Sequence, residues 1–166
     1  VAWLYRAQEG QPTVQLHLDA DIEIEADAVR VRQLLHNLIR NAQEALEGQT
    51  GAHIGIAAGF VPGTDGGMVE ISITDNGPGI AAELLPRLFE PYVTNKTKGT
   101  GLGLAIVRKL VEEHGGTVQA ENVSPHGARL VVRLPVRGRS AETPGESRSL
   151  WSDDSSDART PARSEA

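Results

Sequence analysis

The chain has no cysteine, which excludes a disulfide framework and any thiolate metal site. Aromatic residues make up only 4% of it, too few for a surface that stacks the bases of single-stranded nucleic acid. No apolar run is long enough to span a bilayer, and nothing has the layout of a signal peptide. An excess of positive charge is also missing. The formal net charge is −6, which argues against a generic nucleic-acid surface. These absences describe a soluble, cytoplasmic fragment with no membrane contact of its own, although the full-length protein can still be anchored in an inner membrane.

What is present suits one domain of ordinary size with a real core. Val1 to Tyr5 is a short apolar opening, and residues 1–13 read as the end of an upstream linker. Val14, Leu16 and Leu18 alternate with polar residues and predict a strand; Ile22 and Ile24 predict a second, shorter extended piece. Asp27 is a candidate helix cap. After it, Val31, Leu34, Leu35, Leu38, Ala42 and Ala45 recur at helical spacing and predict a buried stripe. Residues 52–60 and 68–74 read as a hairpin around a glycine-rich turn. One helical turn at Ala81 to Leu85 is expected to end before Pro86. An irregular segment, 86–100, leads into a helix at Gly101 to His114, which Gly115 and Gly116 stop. Strands at 117–122 and 128–136 follow. Residues 1–136 therefore form the predicted domain. The polar tail, 137–166, cannot offset its ordering entropy and is expected to be disordered, with Leu150 and Trp151 its only apolar anchors. One-sided helices and one-sided strands predict a two-layer α/β sandwich.

Three stretches carry candidate chemistry. The first helix holds Asn37 and Asn41, four apart and so on one face, beside the apolar stripe. A magnesium ion accepts an amide oxygen while keeping water and phosphate as its other ligands, and Asn41 is the better candidate because it is expected to sit deeper, toward Ala42 and Ala45. The alternative is that both amides bridge neighbouring backbone. The second stretch is Asp75-Asn76-Gly77-Pro78-Gly79-Ile80, directly after a strand with Val69, Ile71 and Ile73 on one side. A carboxylate at the buried end of a strand is costly unless something binds it. Asp75 is read as accepting from an exocyclic amine, with Gly79 lining the cavity wall; an ordinary strand-ending turn is the alternative.

The third stretch is Lys98-Gly99-Thr100-Gly101-Leu102-Gly103-Leu104, at a helix start. Free amides and the helix dipole make such a place a phosphate site, although a flexible hinge reads the same way. A Rossmann turn is excluded because a charged loop precedes it, and a P-loop because no Gly-Lys-Ser/Thr ends it. In the loop between, Phe89 and Tyr92 are candidate hydrophobic latches. Lys96 and Lys98 either meet phosphate when the loop closes or are simply solvated.

In this order and with these gaps, the motifs resemble the N, G1, F and G2 boxes of the catalytic ATP-binding domain of bacterial sensor histidine kinases. That domain belongs to the superfamily of gyrase, Hsp90, histidine kinases and MutL. The resemblance covers about Val14 to Val136, and the wording around His36-Asn37-Leu38 and Glu90-Pro91-Tyr92-Val93-Thr94 is most similar to the nitrogen-regulation kinases of the NtrY and NtrB type. It implies a Bergerat-type sandwich, a mixed sheet packed on helices with a mobile ATP lid. It implies that Asp75 reads the adenine amino group and that Gly77, Gly79 and Ile80 shape its pocket. Asn41 would coordinate magnesium, with Asn37 lining the phosphate side. Phe89 would position the lid carrying Lys96 and Lys98. Gly99, Thr100, Gly101, Leu102, Gly103 and Leu104 would wrap the phosphates of ATP.

The chain departs from the family in two ways. Gln43, Glu44, Ala45 and Leu46 stand where many relatives carry a basic residue and a tyrosine, so Arg40 or the lid lysines are candidates to compensate. No histidine has the phosphoacceptor context of an acidic neighbour and a nearby proline. The implied function is transfer of the γ-phosphoryl of Mg-ATP to a histidine on a dimerisation domain outside this chain. Asn37, Asn41 and Lys96 carry that reaction, a response regulator receives the phosphoryl group indirectly, and the full protein is a homodimer. The alternatives are an ATPase or serine kinase of the same superfamily, or a non-catalytic nucleotide-binding module. The ATPases place a glutamate where Asn37 stands.

Overall fold

Asp27 starts the first helix as its sequence predicts. Its Oδ1 accepts from the backbone N–H groups of Val29 at 2.8 Å and Arg30 at 3.3 Å, satisfying two donors that a helix start otherwise leaves open. The computed structural model describes residues 11–19, 24–63, 66–94 and 99–136. Its elements are β1 (Thr13–Leu18), α1 (Ala28–Ala45), β2 (His53–Val61), β3 (Met68–Asp75), α2 (Gly103–Glu113), β4 (Thr117–Asn122) and β5 (Ala128–Pro135).

The strands form one mixed sheet in the order β1-β2-β3-β5-β4. β1 runs parallel to β2 and every other neighbour pair is antiparallel. Alternation then sorts the sheet into two faces. Ile54, Ile56, Ile73, Leu130, Val132 and Leu134 meet Leu34, Leu38, Ile39 and Ala42 of α1 and Val107, Leu110 and Val111 of α2 in one core. Full burial of such a side chain contributes about 1.5–3 kcal/mol relative to exposure. The other face carries charge. Glu70 bonds Arg133 (Nη2 to Oε2, 2.7 Å) and Arg129 (Nη2 to Oε1, 3.4 Å), and Arg133 also donates to Gln119 at 3.1 Å. This is the predicted two-layer α/β sandwich.

Several expectations change in detail. Ile24 packs on the core but is not in a strand, and Ile22 lies outside the described residues. Ile39 joins the buried stripe of α1, whereas Val31, Leu35 and Ala45 are only half-buried. β1 is an edge strand; its Val14 packs on the core, but Leu16 and Leu18 are 38% and 61% exposed despite their alternation. Pro86 does not end the turn after Ile80. It lies within a short 3-10 helix at Leu85–Arg87, near its start, where a missing N–H costs nothing. The helix expected from Gly101 begins at Gly103, because Gly101 is held in a left-handed conformation (φ 65°). The last strand ends at Pro135. Residues 1–10 and 137–166, and with them the linker and tail readings, lie outside the described residues.

Candidate functional site

Asp75 stands on β3 opposite Ile54 and in phase with Ile73, so its carboxylate enters the helix side of the sheet. It is 3% exposed. Two backbone donors hold Oδ1, Gly77 N–H at 2.9 Å and Ala128 N–H at 3.3 Å. Among the described residues only that oxygen is engaged. Among the described residues no wholly inaccessible side-chain oxygen lacks a partner, so Oδ2 keeps contact with solvent. A carboxylate fixed by one oxygen and open at the other suits a ligand that brings its own N–H.

The turn after Asp75 is pinned from two sides. Asn76 faces the α1–β2 connection: its Oδ1 accepts from His53 N–H at 2.8 Å and its Nδ2 donates to Gly51 O at 2.9 Å. Gln49 Nε2 donates to the carbonyl of Asn76 at 2.9 Å. On the other side stands the β4–β5 loop. Asn122 Oδ1 accepts from Ile80 N–H at 2.7 Å while its Nδ2 donates to Ile80 O at 2.8 Å, and His126 Nδ1 lies 2.9 Å from Asn76 O. An open cavity of about 500 Å³ lies beside the turn, lined by Gln49, Thr50, Asn76, Gly77, Pro78 and His126. A Cβ at Gly77 would come within 2.9 Å of Asp75 Oδ1, and one at Gly79 within 2.9 Å of Asn122 Oδ1. Both glycines are where backbone and side chain approach too closely for a larger residue.

The helix α1 joins this turn to the second glycine cluster. Its end meets Gly77, whose added Cβ would lie 3.4 Å from Ala45 O. Further back, an added Cβ at Gly103 would lie 3.7 Å from Asn37 Oδ1. From Asn37 to Ala45 the helix rises about 12 Å, a span of the order of a nucleoside triphosphate. Asn37 and Asn41 are both half-buried, so Asn41 is not set apart by depth. Leu102 caps α2 without a side-chain hydrogen bond, so no cap side chain takes up the first-turn N–H groups. Arg40 Nε is paired with Glu44 Oε1 at 2.8 Å on the exposed face of α1, so in this arrangement it is not held ready for an anion.

The loop between is half as expected. Phe89 packs against the same core as Leu104. Tyr92 does not: it is 77% exposed and has a positive φ of 65°. Its backbone N–H donates to Gly101 O at 3.0 Å, so the chain leaves at Tyr92 and returns at Gly101 on one stem. On the returning leg Gly99 is half-buried and Thr100 exposed. Lys96 and Lys98 lie outside the described residues. Asp75, Gly77, Gly79 and Ile80 thus form one cluster. Asn37 meets Gly103, and Phe89 shares a core with Leu104. Sequence reasoning missed Asn122, His126 and Gly127; a glycine directly before a strand that must meet β3 was the one available signal.

Known proteins share this sequence pattern and fold. The profile of a family described as "Histidine kinase-, DNA gyrase B-, and HSP90-like ATPase" matches residues 26–138. The sensor histidine kinase ZraS of Escherichia coli O157:H7 is 48% identical over 114 residues, covering 69% of this chain and 24% of that protein. A protein of Rickettsia conorii called a putative sensor histidine kinase NtrY-like is 34% identical over 111 residues, 67% of this chain and 18% of its own length. A solved catalytic domain of the histidine kinase ThkA superposes with a TM-score of 0.66 at 35% identity, covering 76% of this chain and 80% of that one. The chain belongs to the family of histidine kinase-, gyrase B- and HSP90-like ATPases, and its relatives are sensor histidine kinases. It spans about a quarter of the length of the ZraS protein it matches.

Proposed function

We propose that the chain binds Mg-ATP and presents its γ-phosphoryl group to a histidine on a phosphoacceptor and dimerisation segment of the same kinase, from which a response regulator takes it. The observation that carries this reading is Asp75, buried, with Oδ1 fixed by two backbone N–H groups and Oδ2 open. Oδ2 accepts from the exocyclic amine of adenine, and Gly77, Gly79 and Ile80 bound the base. Asn37 and Asn41 lie along α1 toward the phosphates, and the first-turn N–H groups of α2 donate to phosphate oxygens. Gly99 and Thr100, beside the stem that Tyr92 and Gly101 tie together, belong to the lid, and Lys96 and Lys98 supply positive charge for the phosphates.

An amide oxygen of Asn41 would supply one position to magnesium, with water and phosphate taking the rest. The ion would neutralise charge on the phosphates. The chain's own residues orient the nucleotide and exclude water, which is most of what phosphoryl transfer requires. No general base is needed here, because the imidazole that attacks arrives from elsewhere. An amide at Asn37 cannot activate water, which separates this site from the hydrolases of its family.

The test is phosphoryl transfer between separate pieces. Radiolabelled ATP should leave the chain itself unlabelled and should label, as acid-labile phosphohistidine, an added phosphoacceptor segment of its parent protein. Acid-labile label on this chain alone would overturn the reading.

A further inference from the structure

The β4–β5 connection and the residues flanking it hold the base-reading turn, together with the α1–β2 connection on its other side. Asn122 meets Ile80 with both ends of its amide, at 2.7 and 2.8 Å. Its Oδ1 also stands where a Cβ on Gly79 would be, 2.9 Å away. Ala128 N–H, from the far end of the same loop, reaches Asp75 Oδ1 at 3.3 Å. The Asn122 amide closes a ring with the N–H and the C=O of Ile80, which belong to successive peptide units, and so restrains the Ile80 and Gly79 backbone relative to the Asp75 carboxylate. Asn122 is itself exposed at the end of β4, outside the apolar core. Its bonds therefore fix direction more than they stabilise the fold, since water can take over exposed donors and acceptors.

We propose that Asn122 is a positioning residue for base selectivity: through Ile80 and Gly79 it keeps the turn aligned with Asp75, so that a 6-amino purine is told from a 6-oxo purine. The assignment rests on the nucleotide reading above. Asp75 accepts from an amine and meets a carbonyl oxygen with repulsion, so discrimination depends on how well the base is aligned with it. Loosening the turn costs the matched base most and the mismatched base least. The phosphate end, held by α1 and α2, is untouched.

The experiment measures dissociation constants of Mg-ATP and Mg-ITP for the chain, Asn122→Ala and Asn122→Asp, together with thermal unfolding. Asn122→Ala should weaken ATP binding about fivefold or more while ITP changes less than about twofold, with unfolding little altered. Asn122→Asp keeps the acceptor for Ile80 N–H and loses the donor to Ile80 O, so it should fall between the two. Equal weakening of both nucleotides, or no weakening of either, would overturn the assignment while leaving ATP binding by the unsubstituted chain intact. Absence of ATP binding by the unsubstituted chain would overturn the nucleotide reading, and this assignment with it.

Discussion

Gly127 lies against the main chain of Asp75, so that any Cβ there would collide with the Asp75 carbonyl oxygen. Its φ of 120° is also closed to ordinary side chains. This approach lets β5 begin beside the end of β3 and brings Ala128 N–H to the carboxylate.

Gly127→Ala should therefore damage stability and site together. A loss of about 2–4 kcal/mol in unfolding free energy is expected, from strain plus displaced backbone. Denaturant titration checks it, and nucleotide affinity measured on the folded fraction should fall as well.

Gly101→Ala separates the lid from the fold. A Cβ there would lie 2.6 Å from the backbone of Tyr92. The stem must open, but the core of α1, α2 and the sheet does not pass through it. Nucleotide affinity should drop about tenfold or more, whereas the melting temperature should move by only a few degrees.

Two leucines that the sequence places on apolar faces, one of a helix and one of a strand, should behave oppositely. Leu38 is 0% exposed and Leu18 is 61% exposed. Leu38→Ala should cost about 2–5 kcal/mol through a core cavity. Leu18→Ala should stay within about 0.5 kcal/mol. Urea unfolding curves for the two variants give the comparison.

Asn41→Ala should abolish the part of ATP affinity that depends on magnesium. The chain is expected to bind ATP at least about tenfold more tightly with magnesium than with a chelator, and the variant should show no such ratio. A ratio that survives the substitution would remove Asn41 from the metal's ligands.

Much of the fold was legible because its signals are local. Asp27 announces α1, the three- and four-residue spacing of Leu34, Leu38 and Ala42 marks its buried side, and β2 and β3 read as a hairpin. The candidate cluster around Asp75 was legible too, since Gly77 and Gly79 follow it directly. What was not legible depends on which strands become neighbours. Asn122 reaches Ile80 across 42 residues and Ala128 reaches Asp75 across 53, contacts that exist only once β5 lies between β3 and β4. Leu16 and Leu18 alternate like buried residues but fall on an edge strand. Tyr92 looked like a second latch because it is aromatic. It has a positive φ, its backbone is bonded to Gly101, and its side chain stands exposed instead.

The most direct test is a calorimetric titration of Mg-ATP into the purified chain and into Asp75→Asn. Asparagine keeps an oxygen for Gly77 and Ala128 but turns an amine toward the ligand in place of an acceptor. The chain should bind one nucleotide saturably, and the variant should bind at least about tenfold more weakly with little change in melting temperature. No uptake by the chain at millimolar ATP, or equal affinity in the two proteins, would contradict the account.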